Sequence, residues 1–538
     1  MFIWLLKPRS NLFLYALCLL IVGLWLCFLC GPHFSWLGYR NGSGDLAQHF
    51  SGWYAFVGEP WHFPLLKINS LDYPTGTNLS LTDSIPLFAL FFKLVRGMLP
   101  ADFNYFSIFF LFCYVTQAIA ATTLAVSLRQ RNILGVIAFT LFAITTPVFT
   151  HRLIGNDSLA CQSLILFALA LYFFNHQQRC ALRQLQVYFG LLICLSLLIH
   201  PYLTAMCYPF YLISLYEFKQ AQPLQKILSG FLCVNLIIAV EFLIFGLGTF
   251  NEAVGFGACN MNFLAPLYGG YFAHGSIFIW RYQEEGFAYL GLGLIALIGY
   301  AFYLLKAQFQ TVMYAYWSLF WLSILFLIYA TYGSIDFGHF ELVRYRVPFF
   351  FLTEDFLANG RFFWPCTYIL LSFAVATLLK KAPKMACIVL PGLLALQLFD
   401  VSPYTAGVKA SLQNIFVSNN TPANIMIMSK MKQAKLIIYY PRFNCNTMSK
   451  QEYALLIQTQ LLAAYSHTPI NTAYTAHAGI AGPQNCGDDS PKLAAMSPQL
   501  LIAEVADPSP TMRNILRTDP AKCSVIGAVY YCVYSAME

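Results

Sequence analysis

Charged residues are scarce in this chain of 538 residues, since Asp, Glu, Lys and Arg make up only 10% of it. A soluble domain carries about 25% charged residues, and here hydrophobic residues reach 59%. Such a chain has too few polar groups to cover a globular surface. The composition therefore excludes a soluble globular protein and predicts that most residues face lipid or other apolar segments.

The sequence also lacks patterns that mark other classes of protein. The formal net charge is +8, but Lys and Arg lie in short turns between apolar runs and form no stripe with interleaved aromatic residues. This distribution argues against nucleic acid as a partner. No internal repeat is visible, and no CxxC or His-rich spacing of the kind that holds zinc accompanies the cysteines.

Long apolar runs are abundant instead. A helix that crosses a bilayer needs about 20 apolar residues, and we expect eleven spans, at Leu12–Cys30, Phe103–Ser127, Ile133–Thr150, Leu159–Phe174, Val187–Ile199, Tyr202–Tyr216, Ile227–Leu247, Phe287–Leu305, Val312–Thr331, Phe362–Leu379 and Met385–Phe399. The first run is too long for a signal-peptide core and lacks a small-residue cleavage site, so we expect it to be retained. The sequence predicts a polytopic α-helical membrane protein.

The positions of Lys and Arg predict its orientation, because short cytoplasmic loops hold an excess of positive charge. With the N-terminus inside, alternate turns carry Lys7 and Arg9, Arg129 and Arg131, Arg179 and Arg183, Lys219 and Lys226, Lys306, and Lys380, Lys381 and Lys384. Counting Ser84–Leu99 as a further span would export these charges. We therefore interpret that segment as a re-entrant or surface-lying helix with snorkelling Lys93 and Arg96.

This topology leaves a first exported loop, residues 31–100, and everything after residue 400 outside the cytoplasm. Beyond Val401 long apolar runs become fewer, Leu436–Tyr440 is typical of a buried strand, and Glu452–Tyr465 is typical of a helix. We expect two domains, a transmembrane domain over residues 1–400 and a small extracytoplasmic α/β domain over residues 401–538.

The cysteines agree with an exported C-terminal domain. Of the sixteen, four lie there, an even number that is typical of an oxidising compartment. Three pairings are open. Gly527 lies between two strand-like runs that contain Cys523 and Cys532, which favours a hairpin disulfide there and leaves Cys445 to pair with Cys486. A zinc site is the alternative.

The first exported loop concentrates acidic, His and aromatic residues. Asp45, Gln48 and His49 are spaced by three and four residues, so a helix would place a carboxylate and an imidazole on one face. The alternative for Asp45 is a helix cap. Asp83 is also either a functional residue or a helix cap. Asp72 in LDYPTG is either a functional residue or a turn residue.

Three more ionisable residues are candidates. Asp157 lies at the outer end of the third and fourth spans and His200 at that of the fifth and sixth, and either is a functional or a structural residue. Glu241 is an acid inside the seventh span, where an ionisable group is a functional hypothesis by default. A hydrogen bond to a neighbouring helix is the alternative.

Three arginines precede the tenth span. Arg344, Arg346 and Arg361 lie in one loop, and Arg361 in LANGRFFWP stands just outside an aromatic-rich entry into the membrane. A guanidinium at headgroup depth suits a phosphate or phosphodiester. Membrane anchoring is the alternative.

The organisation of the chain resembles that of the GT-C superfamily of integral-membrane glycosyltransferases. The shared features are an acidic first exported loop, a half-inserted helix behind it, about eleven spans and an exported C-terminal domain. More closely, the motifs GDLAQHFSGWYAF, DYPTGTNLSLTDSIPL, GRFFWP and NTAYTAH resemble an uncharacterised bacterial multi-spanning membrane family within that superfamily. The resemblance covers nearly the whole chain.

The resemblance implies an inverting transfer of a sugar from a polyprenyl-phosphate-linked donor. Asp45 fits the general base, with His49 on the same helix, Asp157 fits a second acid, and Arg361 is a candidate phosphate ligand. The remaining expected substrate contacts are Tyr73, Asp83, His200, Arg344 and Arg346.

The same resemblance implies an envelope glycan, lipid or protein as acceptor. It places the chain in the bacterial cytoplasmic (inner) membrane, in contact with membrane lipid. No motif requires a cofactor, and a divalent metal stays open.

Two other functions stay open. A lipid or polysaccharide transporter or flippase would place ionisable residues within spans, and Glu241 fits this description. A non-catalytic envelope assembly scaffold would bind partners through the C-terminal domain.

Overall fold

The structure is a computed structural model that describes residues 9–31, 45–153, 156–218, 222–248, 259–275, 284–344, 356, 358–413, 421–443, 445, 449–475 and 486–535. The chain divides into two compact units. The first unit comprises Met1–Ser35, Ile108–Ile238 and Ala253–Asn414, and the second comprises Trp36–Ser107, Ala239–Glu252 and Ile415–Glu538.

The first unit is helical. Its α-helices, of which two extend past the boundary of the unit, are Arg9–Cys30, Phe106–Ser127, Ile133–Thr145, Pro147–Thr150, Ser163–His176, Leu182–Leu197, Pro201–Phe218, Leu224–Phe245, Leu292–Leu305, Phe309–Ala315, Trp317–Ala330, Trp364–Lys381, Pro383–Asp400 and Ser402–Gln413. In the chain, a two-stranded antiparallel hairpin of Ser334–Phe337 and Phe340–Arg344 follows the helix Trp317–Ala330 and precedes the helix Trp364–Lys381.

Among the described residues, six helical segments are long and apolar enough to cross a membrane, or up to eight if each of two bent pairs is one span. Every one of the eleven expected runs contains a helix, but Leu182–Leu197 and Trp317–Ala330 are shorter than a full span. At 1.5 Å per residue, a helix of 14 residues reaches only about 21 Å of a core that is about 30 Å thick. The protein is thus a multi-pass membrane protein, and the count of eleven stays a prediction.

One of the bent pairs has an identifiable cause. Ile133–Thr145 and Pro147–Leu153 meet at an angle of 45°, and Thr146 between them has the extended conformation that the residue before a proline prefers (φ −59°, ψ 126°). The bend directs the chain into the short 3₁₀ turn His151–Leu153.

Buried polar side chains connect helices in the core of the first unit. Gln117 Nε2 donates to the Tyr368 hydroxyl at 2.9 Å, and that hydroxyl donates to Gln162 Oε1 at 2.6 Å. Asp400 joins the end of one helix to the start of another, because its carboxylate accepts from the backbone N–H of Gly275 at 2.8 Å and of Leu292 at 2.9 Å. These bonds satisfy polar groups that would otherwise be costly to bury.

The second unit mixes helices and strands. Its helices are Asp45–Gly58, Pro86–Leu94, Pro422–Gln433, Lys450–Ser466 and Pro510–Thr518, and a short antiparallel pair joins Lys67–Ile68 to Thr77–Asn78. A four-stranded sheet has the order Leu436–Tyr440, Gln499–Glu504, Val529–Tyr534, Cys523–Ile526. The first two strands are parallel and the other neighbours are antiparallel.

Segments of the loop expected to be exported, residues 31–100, are part of this second unit. The Ile470 N–H donates to the Ser70 carbonyl at 2.8 Å, and the Tyr73 N–H donates back to the Ile470 carbonyl at 2.9 Å. The helix Asp45–Gly58 packs on Lys450–Ser466, where the rings of Tyr54 and Tyr465 lie 4.1 Å apart. The domain boundary expected at residue 400 stays a prediction, because composition reports on hydropathy and not on which segments pack together.

Both predicted disulfides are present. Cys523 lies directly opposite Cys532 in the antiparallel hairpin, with their Cα atoms 4.0 Å apart, and Cys445 is bonded to Cys486 at a Cα separation of 5.3 Å. All four sulfur atoms are therefore in disulfides, so the zinc alternative for these cysteines is wrong.

The predicted topology can be tested with single cysteine reporters in a background without other free thiols. We expect reporters at Gln130 and Pro383 to resist a membrane-impermeant thiol reagent in whole cells, since both lie in turns beside clustered positive charge. A reporter at Ser429, an exposed position of the second unit, should react. Reaction at Pro383 from outside would contradict the predicted orientation.

Candidate functional site

In the second unit, the first-loop motif GDLAQHFSGWYAF forms the helix Asp45–Gly58. Asp45 is its first residue, and the side chain of Asp45 lies outside the described part of the structure. His49 is fully buried, and its ring lies 6.1 Å from that of Phe106. The expectation that His49 shares a helix with Asp45 therefore holds for the backbone, while its role stays a prediction.

This helix packs closely on the second motif, DYPTGTNLSLTDSIPL. A Cβ atom placed on Gly52 would lie only 2.0 Å from the Thr82 hydroxyl oxygen, so this contact requires a glycine. The Ser84 hydroxyl donates to the His49 carbonyl at 2.7 Å. Asp83, between Thr82 and Ser84, ends a 3₁₀ turn in the left-handed conformation (φ 54°), which Asp and Asn adopt more readily than most residues.

Glu59 and Lys93 fix the end of the same helix. The Glu59 carboxylate accepts from the backbone N–H groups of Asn69 and Ser70, the shortest of these bonds being 2.7 Å. Lys93 Nζ donates to the Phe56 carbonyl at 2.6 Å and lies 3.9 Å from the centre of the Phe56 ring. Lys93 is thus buried at the C-terminal end of a helix, where a cation is favourable, and the interpretation of it as a snorkelling residue is wrong.

A buried acid joins the motifs DYPTGTNLSLTDSIPL and NTAYTAH. Asp72, in DYPTG, has a positive φ of 57° and donates its N–H to the carbonyl of Thr472, in NTAYTAH, at 3.4 Å. Burial raises the pKa of Asp72 from an ordinary 3.8 to about 6, although the nearby charge of Arg442 lowers it. Arg442 is itself ion-paired with Asp489, and both side chains are nearly buried.

In the first unit, two arginines meet at one carboxylate. Arg361 donates to Glu285 Oε2 from Nε at 3.0 Å and from a terminal nitrogen at 2.5 Å. A terminal nitrogen of Arg152 lies 3.0 Å from the same oxygen. Burial alone would raise the pKa of Glu285, but Arg361 and Arg152 together hold it well below its usual range. We call Arg152, Glu285 and Arg361 the basic cluster.

Short turns at the ends of apolar helices position the basic cluster. Arg361 lies in the 3₁₀ turn Asn359–Phe363, which leads directly into the helix Trp364–Lys381. Glu285 lies in the turn Glu284–Gly286. The two turns touch through glycines, because a Cβ atom on Gly360 would lie 2.7 Å from the Cα atom of Gly286.

Aromatic rings hold both guanidinium groups. The Arg361 guanidinium lies 4.8 Å from the centre of the Tyr202 ring, and that of Arg152 lies 5.4 Å from the centre of the Trp364 ring. Cation–π contacts of this kind are worth about 0.5 to 2 kcal/mol, and more where water is excluded. The Tyr202 hydroxyl is in turn fixed as acceptor for the Ala358 N–H at 2.8 Å.

A small pocket of about 210 Å³ lies in the same unit, lined by Pro147, Thr150, His151, Phe272, Ala273, Phe287, Tyr289, Val401 and Tyr404. Its wall is largely aromatic, and the His151 ring stacks on that of Phe287 at 4.6 Å. His151 directly precedes Arg152 in the chain, and Phe287 follows Glu285 by two residues. Charged and apolar side chains are therefore neighbours in two short segments of the chain, residues 151–152 and 285–287.

The other predicted residues of the first unit have different surroundings. His200 Nδ1 accepts from the Tyr202 N–H at 3.2 Å, so this nitrogen caps the helix Pro201–Phe218. Asp157 is buried in the 3₁₀ turn Asp157–Ala160. Arg344 is exposed and forms an ion pair with Glu341 at 2.8 Å, and Arg346 lies outside the described residues.

Two residues of the basic cluster, Arg152 and Glu285, were not predicted from the sequence. Arg152 was hidden in an apolar run that ends in HRL, and Glu285 stood in a loop without a recognisable motif. The only available signal was an arginine directly after a proline-broken span, which is an expensive place for a charge unless it is paired. Among the described residues, no group of three or more His, Cys, Asp or Glu side chains could hold a metal ion.

The raised pKa of Asp72 predicts a pH dependence of stability. A carboxyl group with a folded pKa above its unfolded value stabilises the fold fully below about pH 4, and this contribution is lost as the pH rises through about 6. Its size is of the order of 1 to 3 kcal/mol. We expect the melting temperature of the wild type to fall more between pH 4.5 and pH 7.5 than the melting temperature of Asp72→Asn.

The control for this experiment is Asp519→Asn, because Asp519 is an exposed acid of the same unit. It should keep the pH dependence of the wild type. Parallel curves for the wild type and Asp72→Asn would refute the prediction.

The chain matches the model of one protein family and is distantly similar to solved structures of one enzyme. Two structures of the oligosaccharyltransferase of the archaeon Archaeoglobus fulgidus are similar: AglB in complex with an inhibitory peptide and a dolichol-phosphate, at 12% identity and a TM-score of 0.45, and the enzyme in complex with Zn and sulfate, at 11% and 0.45. The alignments cover 92% and 91% of this chain, and 69% and 68% of the other. No curated protein matches the sequence. The model of a family described as a domain of unknown function, DUF6311, matches residues 12–402, which is well over half of the chain, and the protein therefore belongs to the DUF6311 family.

Proposed function

We propose that the protein is an integral-membrane glycosyltransferase that moves a sugar from a polyprenyl-phosphate carrier to an acceptor outside the cytoplasm. The observation that carries this proposal is the position of Arg361. Its guanidinium is nearly buried, held against Tyr202, and lies at the start of an apolar helix that is long enough to span the bilayer. A fixed cation at that depth is suited to the phosphate of a lipid whose chain runs between helices.

The transfer needs a base for the acceptor and stabilisation for the leaving group. In the proposed reaction the acceptor hydroxyl attacks the anomeric carbon, its proton goes to the Asp45 carboxylate, and the bond from that carbon to the phosphate oxygen breaks. The charge that develops on the departing phosphate is stabilised by Arg361. Attack from the side opposite to the leaving group inverts the anomeric centre.

The two disulfides support an extracytoplasmic position for the second unit, because disulfides persist in oxidising compartments. We place the protein in the bacterial inner membrane, with an envelope glycan, lipid or protein as acceptor. Further contacts to donor or acceptor are proposed for His49, Tyr73, Asp83, Asp157, His200, Arg344 and Arg346. Of these, Tyr73 lies in the segment that bonds to NTAYTAH in the second unit.

Asp45→Asn tests the proposed base. Loss of a general base typically lowers a rate by a factor of about 10² to 10⁴, whereas Asn caps a helix about as well as Asp. We expect turnover to fall by such a factor while the melting temperature and the affinity for the carrier stay those of the wild type. The measurement is sugar transfer by the purified protein with a lipid-linked donor.

Asp102→Asn is the matched control for Asp45→Asn, because Asp102 is an exposed acid of the same unit. It should transfer sugar at the wild-type rate. A wild-type rate for Asp45→Asn at an unchanged melting temperature would mean that Asp45 is only a cap.

Arg361→Ala tests the proposed phosphate ligand. A hydrogen bond to a charged group contributes about 1.5 to 3 kcal/mol, so we expect the donor Kd to rise by about tenfold or more, while the acceptor KM stays unchanged. Arg179→Ala is the control, because the described hydrogen bonds of Arg179 go to backbone carbonyls and to the Gln177 amide, and it lies outside the basic cluster. An unchanged donor affinity for Arg361→Ala would remove Arg361 from the phosphate site.

A further inference from the structure

We propose that Arg152 and Arg361 form a single phosphate-binding site, and that the Glu285 carboxylate occupies it until a lipid-linked phosphate takes its place. This inference rests on the proposed function and deepens it. It adds a second arginine to the site and gives Glu285 the role of a displaceable internal anion.

The geometry of the basic cluster shows a site that a phosphate would fill better than a carboxylate. Both arginines contact the same atom of Glu285, since two nitrogens of Arg361 and one of Arg152 lie within 3.0 Å of Oε2. A guanidinium binds most strongly when two of its nitrogens meet two acceptor oxygens in parallel. A phosphate group offers each guanidinium an oxygen pair or a separate oxygen, whereas here both compete for the same one.

Burial distinguishes the two arginines from their partner. The side chain of Arg152 is 3% exposed and that of Arg361 is 11% exposed, whereas that of Glu285 is 32% exposed. The cations are therefore the fixed inner members of the cluster and the carboxylate is its accessible outer member. A ligand that approaches from the accessible side meets Glu285 first.

The physical chemistry of buried charge favours exchange of the anion and disfavours an empty site. Two buried guanidinium groups without a counter-ion would be strongly destabilising, because each would have lost its hydration without gaining a partner charge. The low pKa of Glu285 keeps its carboxylate ionised at neutral pH, so it competes with any other anion. Binding of a phosphate must therefore displace Glu285 into water, where its exposed position lets it be solvated.

The apolar pocket indicates what is attached to the phosphate. One of its lining residues, His151, lies on the turn that carries Arg152, and another, Phe287, directly follows the turn that carries Glu285. The pocket is too small to enclose a whole small molecule. Its largely aromatic wall suits an apolar group next to the phosphate, and this fits a prenyl phosphate better than free phosphate.

Glu285→Gln in the full-length protein tests the exchange. The variant keeps the shape of the side chain but no longer competes as an anion, so a larger fraction of the site is free to bind. We expect farnesyl phosphate to bind about fivefold more tightly or better than to the wild type, because occupancy by Glu285 lowers the apparent affinity. Affinity is measured by calorimetry in nanodiscs of neutral phosphatidylcholine.

Glu217→Gln is the matched control. Glu217 is a partly buried acid of the same unit that contacts His176 at 3.2 Å and accepts from Ser318 at 2.8 Å. We expect its affinity for farnesyl phosphate to stay within about twofold of that of the wild type. Equal or weaker binding by Glu285→Gln would overturn the proposal.

Two further arms identify the ligand chemistry. Arg152→Gln should weaken binding of farnesyl phosphate by about tenfold or more, and farnesol, which lacks the phosphate, should not compete. Nanodiscs that contain phosphatidylglycerol should leave the affinity unchanged. Full competition by phosphatidylglycerol would mean that the site binds bilayer headgroups, and this outcome would overturn the assignment to a lipid-linked donor.

A second variant keeps the proposal testable if Glu285→Gln does not fold. Glu285→Asp retains the charge but shortens the side chain by one methylene, so the carboxylate should hold the site more weakly. The variant should therefore bind farnesyl phosphate more tightly than the wild type.

These binding measurements need no turnover. If they succeed while sugar transfer is not detected, the phosphate site stands and the proposed transferase function falls; if transfer occurs without the Glu285 effect, the reverse holds.

Discussion

Two buried guanidinium groups that share one carboxylate oxygen set the main constraint on the first unit. Arg152 and Arg361 cannot lie where they do without an anion, because desolvated cations are costly. The surrounding structure follows from this need. Gly286 and Gly360 let two turns approach closely enough to bring Glu285 to the arginines, and the rings of Tyr202 and Trp364 fix the guanidinium planes.

The second unit depends on a different constraint, namely that the backbone groups of residues 31–100 must find hydrogen-bond partners. They find them on the C-terminal segment, where Ser70, Tyr73 and Ile470 exchange backbone hydrogen bonds. The helix Asp45–Gly58 packs on the helix Lys450–Ser466 in the same unit. This segment is therefore ordered and contains a packed helix. A side chain on such a helix is held more precisely than one on a mobile loop.

These two constraints place different chemistry in the two units. The first unit offers fixed positive charge beside an aromatic pocket, which is suited to an anionic, partly apolar ligand. The second unit offers acids and polar side chains on a packed scaffold, and one acid, Asp72, has a raised pKa because of burial. The transfer reaction that we propose would use both kinds of group, a carboxylate for the acceptor proton and a cation for the phosphate.

Much of the fold could be predicted from the sequence because hydrophobic runs and punctuating prolines act locally. Each expected span contains a helix, and the break before Pro147 follows from its ring. Span lengths were less predictable, because a break inside an apolar run leaves no mark in its hydropathy. The expected run Val312–Thr331 is interrupted at Tyr316, whose φ of −116° and ψ of 39° are not helical, so the helix that follows is only Trp317–Ala330. The disulfides were predictable because a short hairpin leaves Cys523 little choice of partner.

Part of the candidate site could likewise be predicted from the sequence, and part could not. The sequence by itself determined that Arg361 stands at the entry of an apolar helix and that Asp45 begins the first-loop helix, because both facts depend on neighbouring residues alone. Only the tertiary structure decided that Glu285, 76 positions before Arg361, meets that arginine and Arg152 on one oxygen. No local pattern encodes this meeting, because it results from the packing of turns that are distant in the chain and are brought together by the burial of charge.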